Sequence, residues 1–341
     1  MSILKRAVLH FADFKIELVD RDRSIQQVVE WAKEGTWCPI VVFGPEGCGK
    51  TAWLKQTTEV LREQGFDVIY IDPIHRDFIA YTDIKDVMKK LAEAAVEAID
   101  VAGVKLATLA IDSVKELLSR WRRKRIAVLA DDVFQAIGLD KAGIYVKSLL
   151  NLIEYPPQDY EKMVVIAATS EGVSRREIGR HRWAEIMPIW NMSRRGFEEL
   201  YGKLPNPKPP IDEVWRLTGG NPYMLERLYK AKWNVNIIIN RLIGEKEITP
   251  SFTNTWRNWL EKAVEDPDNL WSADTPEELV DRLIAKNLIV YNMYNRDPVF
   301  WIDQPPPEKD LELGIGKHVA WQTPLHREAA RRCLTAEERL Q

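Results

Sequence analysis

The run VVFGPEGCGKTAWL, residues 41–54, constrains this chain more than any other stretch. Apolar β-formers stop at Gly44, two further glycines follow, and Lys50 and Thr51 then open a helical pattern that continues through Ala52. Gly44, Pro45, Glu46, Gly47, Cys48, Gly49, Lys50 and Thr51 fit G-x-x-x-x-G-K-[ST] in full, in the strand-before, helix-after context that the motif requires. Gly44, Gly47 and Gly49 can take positive φ, so backbone N–H groups can curl around anionic oxygens at a helix amino terminus, where the dipole adds to the attraction. Lys50 supplies a point charge for β and γ phosphates, and Thr51 a hydroxyl for magnesium. The order strand, stop, lysine predicts a polyphosphate site. A chance glycine-rich turn is the bland alternative.

A second motif sits where the first demands one. RIAVLADDVFQ, residues 125–135, is an apolar strand, Ile126 to Ala130, that ends in two carboxylates. Asp131, at the carboxyl edge of a parallel strand, can hold magnesium through water, and Asp132 is then placed to orient the attacking water as the catalytic base. Adjacent aspartates are poor β-formers whose charges repel, which weighs against a purely structural role. A later strand ends in Thr169 and Ser170, from which a hydroxyl can reach the γ-phosphate or the water, an ordinary strand cap being the alternative.

Arg175, Arg176, Arg180, His181 and Arg182 crowd the next stretch. Arginine stabilises the charge of a phosphoryl group in transfer, so one of them is a candidate finger or sensor. A solvated basic loop is the alternative, and the better one for Arg175 and Arg176. The run RWRRKR, Arg120 to Arg125, reads as a helix terminus; Trp121 among arginines leaves open a patch for nucleic acid or an acidic partner. Cys48 lies inside the loop, where a lowered thiol pKa would permit redox control, but that position tolerates many residues.

Short β-rich runs alternate with helical patterns through the first 190 residues, the signature of a parallel sheet covered on both faces. Strands are predicted near 39–44, 67–72, 126–131, 163–169 and 184–189. An amphipathic helical insert is predicted over 82–120. KLPNPKPPIDEVW places four prolines between Pro205 and Pro210, a plausible hinge, and helices follow. In TPEELVDRLIAKNLIVYN, Thr275 is expected to cap a helix with Pro276 in its first turn and Glu278 at the capping-box position, before a strand at Leu288 to Tyr291. With a proline-rich loop at 304–308 and the apolar HVAWQTP beyond it, this suggests a winged helix-turn-helix. No internal repeat is apparent.

With these residues in hand, the chain resembles the archaeal ATPases of the STAND class of P-loop NTPases, whose core is related to AAA+ proteins. The resemblance covers most of residues 14–335. Besides the two phosphate motifs it rests on FKIELVDRDRSI, on Gly179-Arg180 followed by IMPI, and on LTGGNPYML. It implies a P-loop α/β core of five parallel strands over residues 1–204, a helical lid domain over 205–270 that begins with the GGNP motif, and a winged-helix domain over 271–341. It implies ATP and Mg2+ as ligands, Pro222 closing the nucleotide pocket, Leu18, Val19 and Arg21 lining the adenine side, and Arg180 as the γ-phosphate arginine. The chain departs from the family where Asp132 replaces the glutamate of many members, which predicts slow turnover, and in ending soon after the winged helix, so that any signal must leave through that domain or a partner.

At 341 residues the chain exceeds the usual size of one core, which predicts two or three domains. Three cysteines without paired spacing fit a reduced compartment, and neither a signal peptide nor an apolar stretch of the ~18 to 20 residues that span a bilayer is present, so a cytoplasmic protein without a membrane partner is expected. Thirteen tryptophans are many, and core packing is their ordinary use.

The expected function is an ATP-driven molecular switch that signals to a protein partner or by self-association. One alternative is a DNA-handling ATPase resembling replication initiators; another is a nucleotide-binding scaffold that does not hydrolyse. Residues 271–341 carry nine Lys and Arg against twelve Asp and Glu, and the predicted recognition helix holds Glu277, Glu278 and Asp281, so DNA is not the favoured partner.

Overall fold

The structure, a computed structural model, describes residues 5–75, 77–81, 111–112, 114–116, 124–170 and 172–338. Most of the predicted insert at 82–120, and Trp121 with its neighbouring arginines, lie outside these residues; Ile111 and Val114 are buried in the core. Two compact units emerge. One comprises Met1–Leu9, Asp22–Phe43 and Lys50–Met187, and the other His10–Arg21, Gly44–Gly49 and Pro188–Gln341.

After a short hairpin, β1 (Val8–Phe11) and β2 (Phe14–Glu17), the first unit holds α1 (Asp22–Glu34), β3 (Ile40–Phe43), α2 (Lys50–Glu63), β4 (Asp67–Asp72), β5 (Asp77–Tyr81) and β6 (Arg125–Asp131). Then come α3 (Val133–Ile137), α4 (Leu139–Glu154), β7 (Lys162–Thr169), α5 (Gly172–Gly179) and β8 (Glu185–Pro188). The sheet order is β5-β4-β6-β7-β3-β8, so all five predicted strands lie in one sheet. β4, β6, β7 and β3 are parallel neighbours. β5 was not foreseen: it pairs antiparallel with β4 and closes that edge.

The central strands read as continuous apolar runs because both faces are covered. Every residue from Ile126 to Asp131 and from Met163 to Thr169 is buried. Phe134, Val146 and Leu149 pack on them in one apolar cluster. At the register Asp131 opposite Ala168 and Thr169 opposite Phe43, the carboxyl ends of β6, β7 and β3 come level.

The second unit is mostly helical: α6 (Arg194–Gly202), α7 (Ile211–Thr218), α8 (Pro222–Lys230), α9 (Val235–Glu245), α10 (Pro250–Glu265), α11 (Glu277–Ala285) and α12 (Pro324–Glu338). β9 (Ile289–Tyr291) and β10 (Val319–Trp321) pair antiparallel between the last two helices. Trp301 and Trp321 are fully buried here, as is Trp53 in the first unit, whereas Trp37 is exposed. The proline tract joins α6 to α7 and is pinned by Lys208, whose ammonium donates to the Tyr201 and Leu204 carbonyls at 2.8 and 3.0 Å.

The expected cap of α11 is not formed. Pro276 occupies the cap position without a side-chain bond, and the Thr275 hydroxyl instead donates to the Asn269 carbonyl at 3.1 Å. A proline in the extended region already sets the entry of the chain, and the threonine serves the preceding loop.

Candidate functional site

The loop from Gly44 to Gly49 joins β3 to α2, as the motif requires. Gly47 and Gly49 have φ of +73° and +97°, the left-handed region that glycine enters without penalty. Gly44 does not, contrary to expectation; it is glycine because a Cβ there would stand 2.1 Å from the Ile189 carbonyl oxygen. Gly47 is doubly constrained, since its Cβ would meet that of Tyr223 at 2.4 Å.

Three donors hold the outer side of this loop. The Asn221 amide donates to the Glu46 carbonyl at 2.9 Å, the Tyr223 N–H to that of Gly47 at 3.3 Å, and the Arg21 guanidinium to that of Cys48 at 2.8 Å. In a planar trans peptide the carbonyl and the following N–H point in opposite directions. Fixing the carbonyls of Glu46 and Cys48 therefore aims the N–H groups of Gly47 and Gly49 away from their holders. Glu46 is tied further by its own N–H, which donates to Gln322 Oε1 at 2.8 Å, and by its carboxylate, which pairs with Lys246 at 2.5 Å.

Asn221 and Pro222 occupy the predicted turn. Gly219 ends α7 in the left-handed region, Asn221 caps α8 by accepting from the Met224 N–H at 3.0 Å, and Pro222 is its first residue. Pro222 Cγ lies 3.8 Å from where a Gly49 Cβ would be. Leu18 is half-buried and Val19 buried just before Arg21.

In the first unit Lys50 and Thr51 begin α2, Lys50 with little exposure and Ala52 and Thr51 half-buried. Asp131 is buried at the end of β6, and its Oδ2 accepts from the Tyr70 hydroxyl at 3.1 Å. Its Oδ1 has no partner among the described residues. Burial, and then the charges of Asp132 and Asp72, push the Asp131 carboxyl up to about 6, against the opposing pull of the Thr51 and Tyr70 hydroxyls. A buried carboxylate with one oxygen lacking a partner among the described residues, near the Thr51 hydroxyl and other acids, fits a divalent cation. Magnesium keeps most of its water and needs only one or two protein ligands. Among the described residues there is no cluster of three or more His, Cys, Asp or Glu able to hold a metal.

Asp132 follows at φ 44°, a left-handed position, and precedes α3 without a side-chain cap bond. Aspartate tolerates this conformation better than most residues, and it is found at strained functional turns. Thr169 is buried and Ser170 half-buried at the end of β7. Arg180 lies past α5, two-thirds exposed and paired with Glu177 at 3.1 Å. Arg175 instead places its guanidinium 5.3 Å from the ring centre of Phe43, the residue before Gly44.

Sequence reasoning missed Tyr70, Asp72 and His75. Asp72 is buried at the end of β4 and bonded by His75 Nδ1 at 2.7 Å. The available signal was their place in and just after a strand adjacent to β6, but strand order is invisible without the fold.

A family model described as an ATPase domain predominantly from Archaea matches residues 18–228. Among solved structures, a Walker-type ATPase of Pyrococcus abyssi is 16% identical, over 92% of this chain and 96% of its own, with a TM-score of 0.49. DnaA from Aquifex aeolicus, bound to AMPPCP, is 20% identical over 75% of this chain and 74% of its own, with a TM-score of 0.35. Comparison with curated proteins gives no match. No helix among the described residues is long and apolar enough to cross a membrane.

Proposed function

This chain belongs to the ATPase domain family found predominantly in Archaea, and we propose that it binds ATP with magnesium, hydrolyses it slowly and acts as a nucleotide-dependent switch. The observation that carries this reading is Asp131, a buried carboxylate with one oxygen unpartnered and the Thr51 hydroxyl turned towards it.

Thr51 and Asp131 would hold the metal, which would neutralise phosphate charge when bound. The N–H groups of the 44–51 loop and Lys50 bind the phosphates. Leu18, Val19, Arg21 and Pro222 take the base side, Arg21 with its guanidinium on the Cys48 carbonyl. Asp132 orients the attacking water and accepts its proton as the bond to the γ phosphorus forms and the bridging bond to ADP breaks. Aspartate must approach that water more closely than glutamate would, which keeps turnover low. Thr169 and Ser170 can hydrogen-bond the water or the γ-phosphate.

Arg180 remains the proposed arginine for the developing charge, because its exposed pairing with Glu177 is weak enough to exchange for a phosphate. Helices α7 to α10 would then form the lid, and α11, β9, β10 and α12 a winged-helix output domain. Exposed Glu277, Glu278 and Asp281 on α11 favour a protein partner over DNA.

Steady-state turnover with and without DNA, at two salt concentrations, tests the reading. Slow magnesium-dependent turnover indifferent to DNA is expected. Lys50→Ala should remove ATP affinity, and Asp132→Asn should retain affinity while lowering turnover about 100-fold or more. An Asp132→Asn enzyme at the parental rate would remove Asp132 from its role, and DNA-stimulated turnover would favour an initiator-like activity.

A further inference from the structure

Arg21 is almost wholly buried, at 3% exposure, in a left-handed backbone conformation, φ 67°. A long side chain in that region is strained, and such strain persists only where surrounding contacts enforce it. Here they do. The preceding Asp20, also left-handed at φ 63°, accepts from the Ser193 N–H and hydroxyl at 3.0 and 3.1 Å. It packs so closely on Gly196 that a Cβ there would stand 2.2 Å from its carboxyl carbon.

What the strained turn achieves is the reach of one guanidinium. Arg21 donates to the Cys48 carbonyl at 2.8 Å and the Trp190 carbonyl at 2.7 Å, and pairs with Asp303 at 3.2 Å. Asp303 is buried too, at 4% exposure, and left-handed at φ 63°. The segment that carries Asp303 is itself stitched to the chain beside the loop. The Ile302 N–H donates to the Pro188 carbonyl at 2.9 Å, Ile302 bridges Ile189 in parallel, and the Ile189 carbonyl is the group that excludes a Cβ from Gly44.

We propose that Arg21 is a positioning residue of the phosphate loop, and that its ion pair with Asp303 couples the loop's state to the C-terminal segment 301–303. This rests on the ATP-binding reading above and adds the route by which bound nucleotide is felt outside the loop. Arg21 holds the Cys48 carbonyl and so keeps the Gly49 N–H turned into the cradle. A phosphate drawing on that N–H polarises the same peptide and strengthens the carbonyl as an acceptor for the guanidinium, which the buried Asp303 carboxylate holds in place. By reciprocity, loosening Asp303 must weaken nucleotide binding.

Hydrogen exchange on the full chain, with and without ATP and Mg2+, provides one measurement, and ATP affinity of Asp303→Asn the other. ATP is expected to slow exchange in peptides covering 44–52 and also in those covering 300–304. In folded Asp303→Asn, the Kd for ATP is expected to rise about tenfold, with protection of 44–52 retained at saturation and that of 300–304 lost. A purely structural pair would lower the melting temperature of Asp303→Asn and leave the Kd of its folded form unchanged, which overturns the proposal. Should Asp303→Asn not fold, wild-type exchange still decides: protection at 44–52 without any at 300–304 overturns the coupling alone. No ATP protection at 44–52 overturns the ATP-binding reading and the coupling with it.

Discussion

At Asp131 the folded chain keeps a carboxylate where burial and two neighbouring acids favour its neutral form. Its Oδ1 lacks a partner among the described residues, and a buried acceptor left so costs about 1–3 kcal/mol. On the proposed magnesium role, function opposes stability at this position. Asp131→Asn is expected to raise the unfolding free energy of the nucleotide-free protein by about 1–3 kcal/mol at pH 7, in denaturant titrations with EDTA, while abolishing magnesium-dependent turnover. The gain should shrink towards zero as pH falls from about 6 to the ordinary carboxyl value of 3.8, because the wild-type group then takes up its proton. A variant equally destabilised at both ends of that range would show that Asp131 is an ordinary structural acid. Tyr70, the other holder of this carboxyl, looks in the sequence like any aromatic of a buried strand, and only the pairing of β4 with β6 brings its hydroxyl to Asp131.

Among the elements, α8 shows how a helix start acquires a second purpose. GGNP predicted a stop and a restart, and both occur. Local sequence does not say that the capping side chain would use its other end, the amide, on Glu46 and on Asn191 at 2.9 Å each. The next helix, α9, supplies a control: Asn234 caps it by accepting from the Ile237 N–H at 3.3 Å. Both Asn221→Ala and Asn234→Ala should lose about 1 kcal/mol of stability as missing caps. Only Asn221→Ala should also weaken ATP binding several-fold, measured with a fluorescent ATP analogue; equal affinities in the two variants would reduce Asn221 to a cap. Thr275 marks the opposite case, a residue with capping chemistry whose hydroxyl is used elsewhere because Pro276 takes the position.

For the molecule as a whole, the two compact units carry buried titratable groups whose pH responses oppose each other. In the first, the Asp131 carboxyl is raised to about 6, so acidification from pH 7 to pH 5 relieves it and adds stability. In the second, burial first, and then the charges of Lys246 and Arg227, push His326 down to about 3 from 6.5. Its neutral form therefore contributes stability that is complete above pH 6.5 and lost as pH falls towards 3, roughly 2 kcal/mol of it by pH 5. Thermal unfolding followed by hydrogen exchange should show the second unit weakening over this interval and the first holding or gaining. His326→Gln should flatten the response of the second unit, and a second unit whose stability is unchanged between pH 7 and pH 5 would contradict the assignment. By itself the sequence determined the five core strands, the glycine-rich loop with Lys50 and Thr51 between strand and helix, the two aspartates at the end of β6, and the helix break at GGNP, because each depends on residues adjacent in the chain: alternation, φ preferences, caps and strand ends. Only the tertiary structure decided why Gly44 is glycine, which hydroxyl holds Asp131, that Arg21 grips the Cys48 carbonyl, and that its counter-ion is Asp303. Those contacts join residues tens to hundreds of positions apart, and their partners are fixed by strand order and backbone approach, which no local pattern encodes.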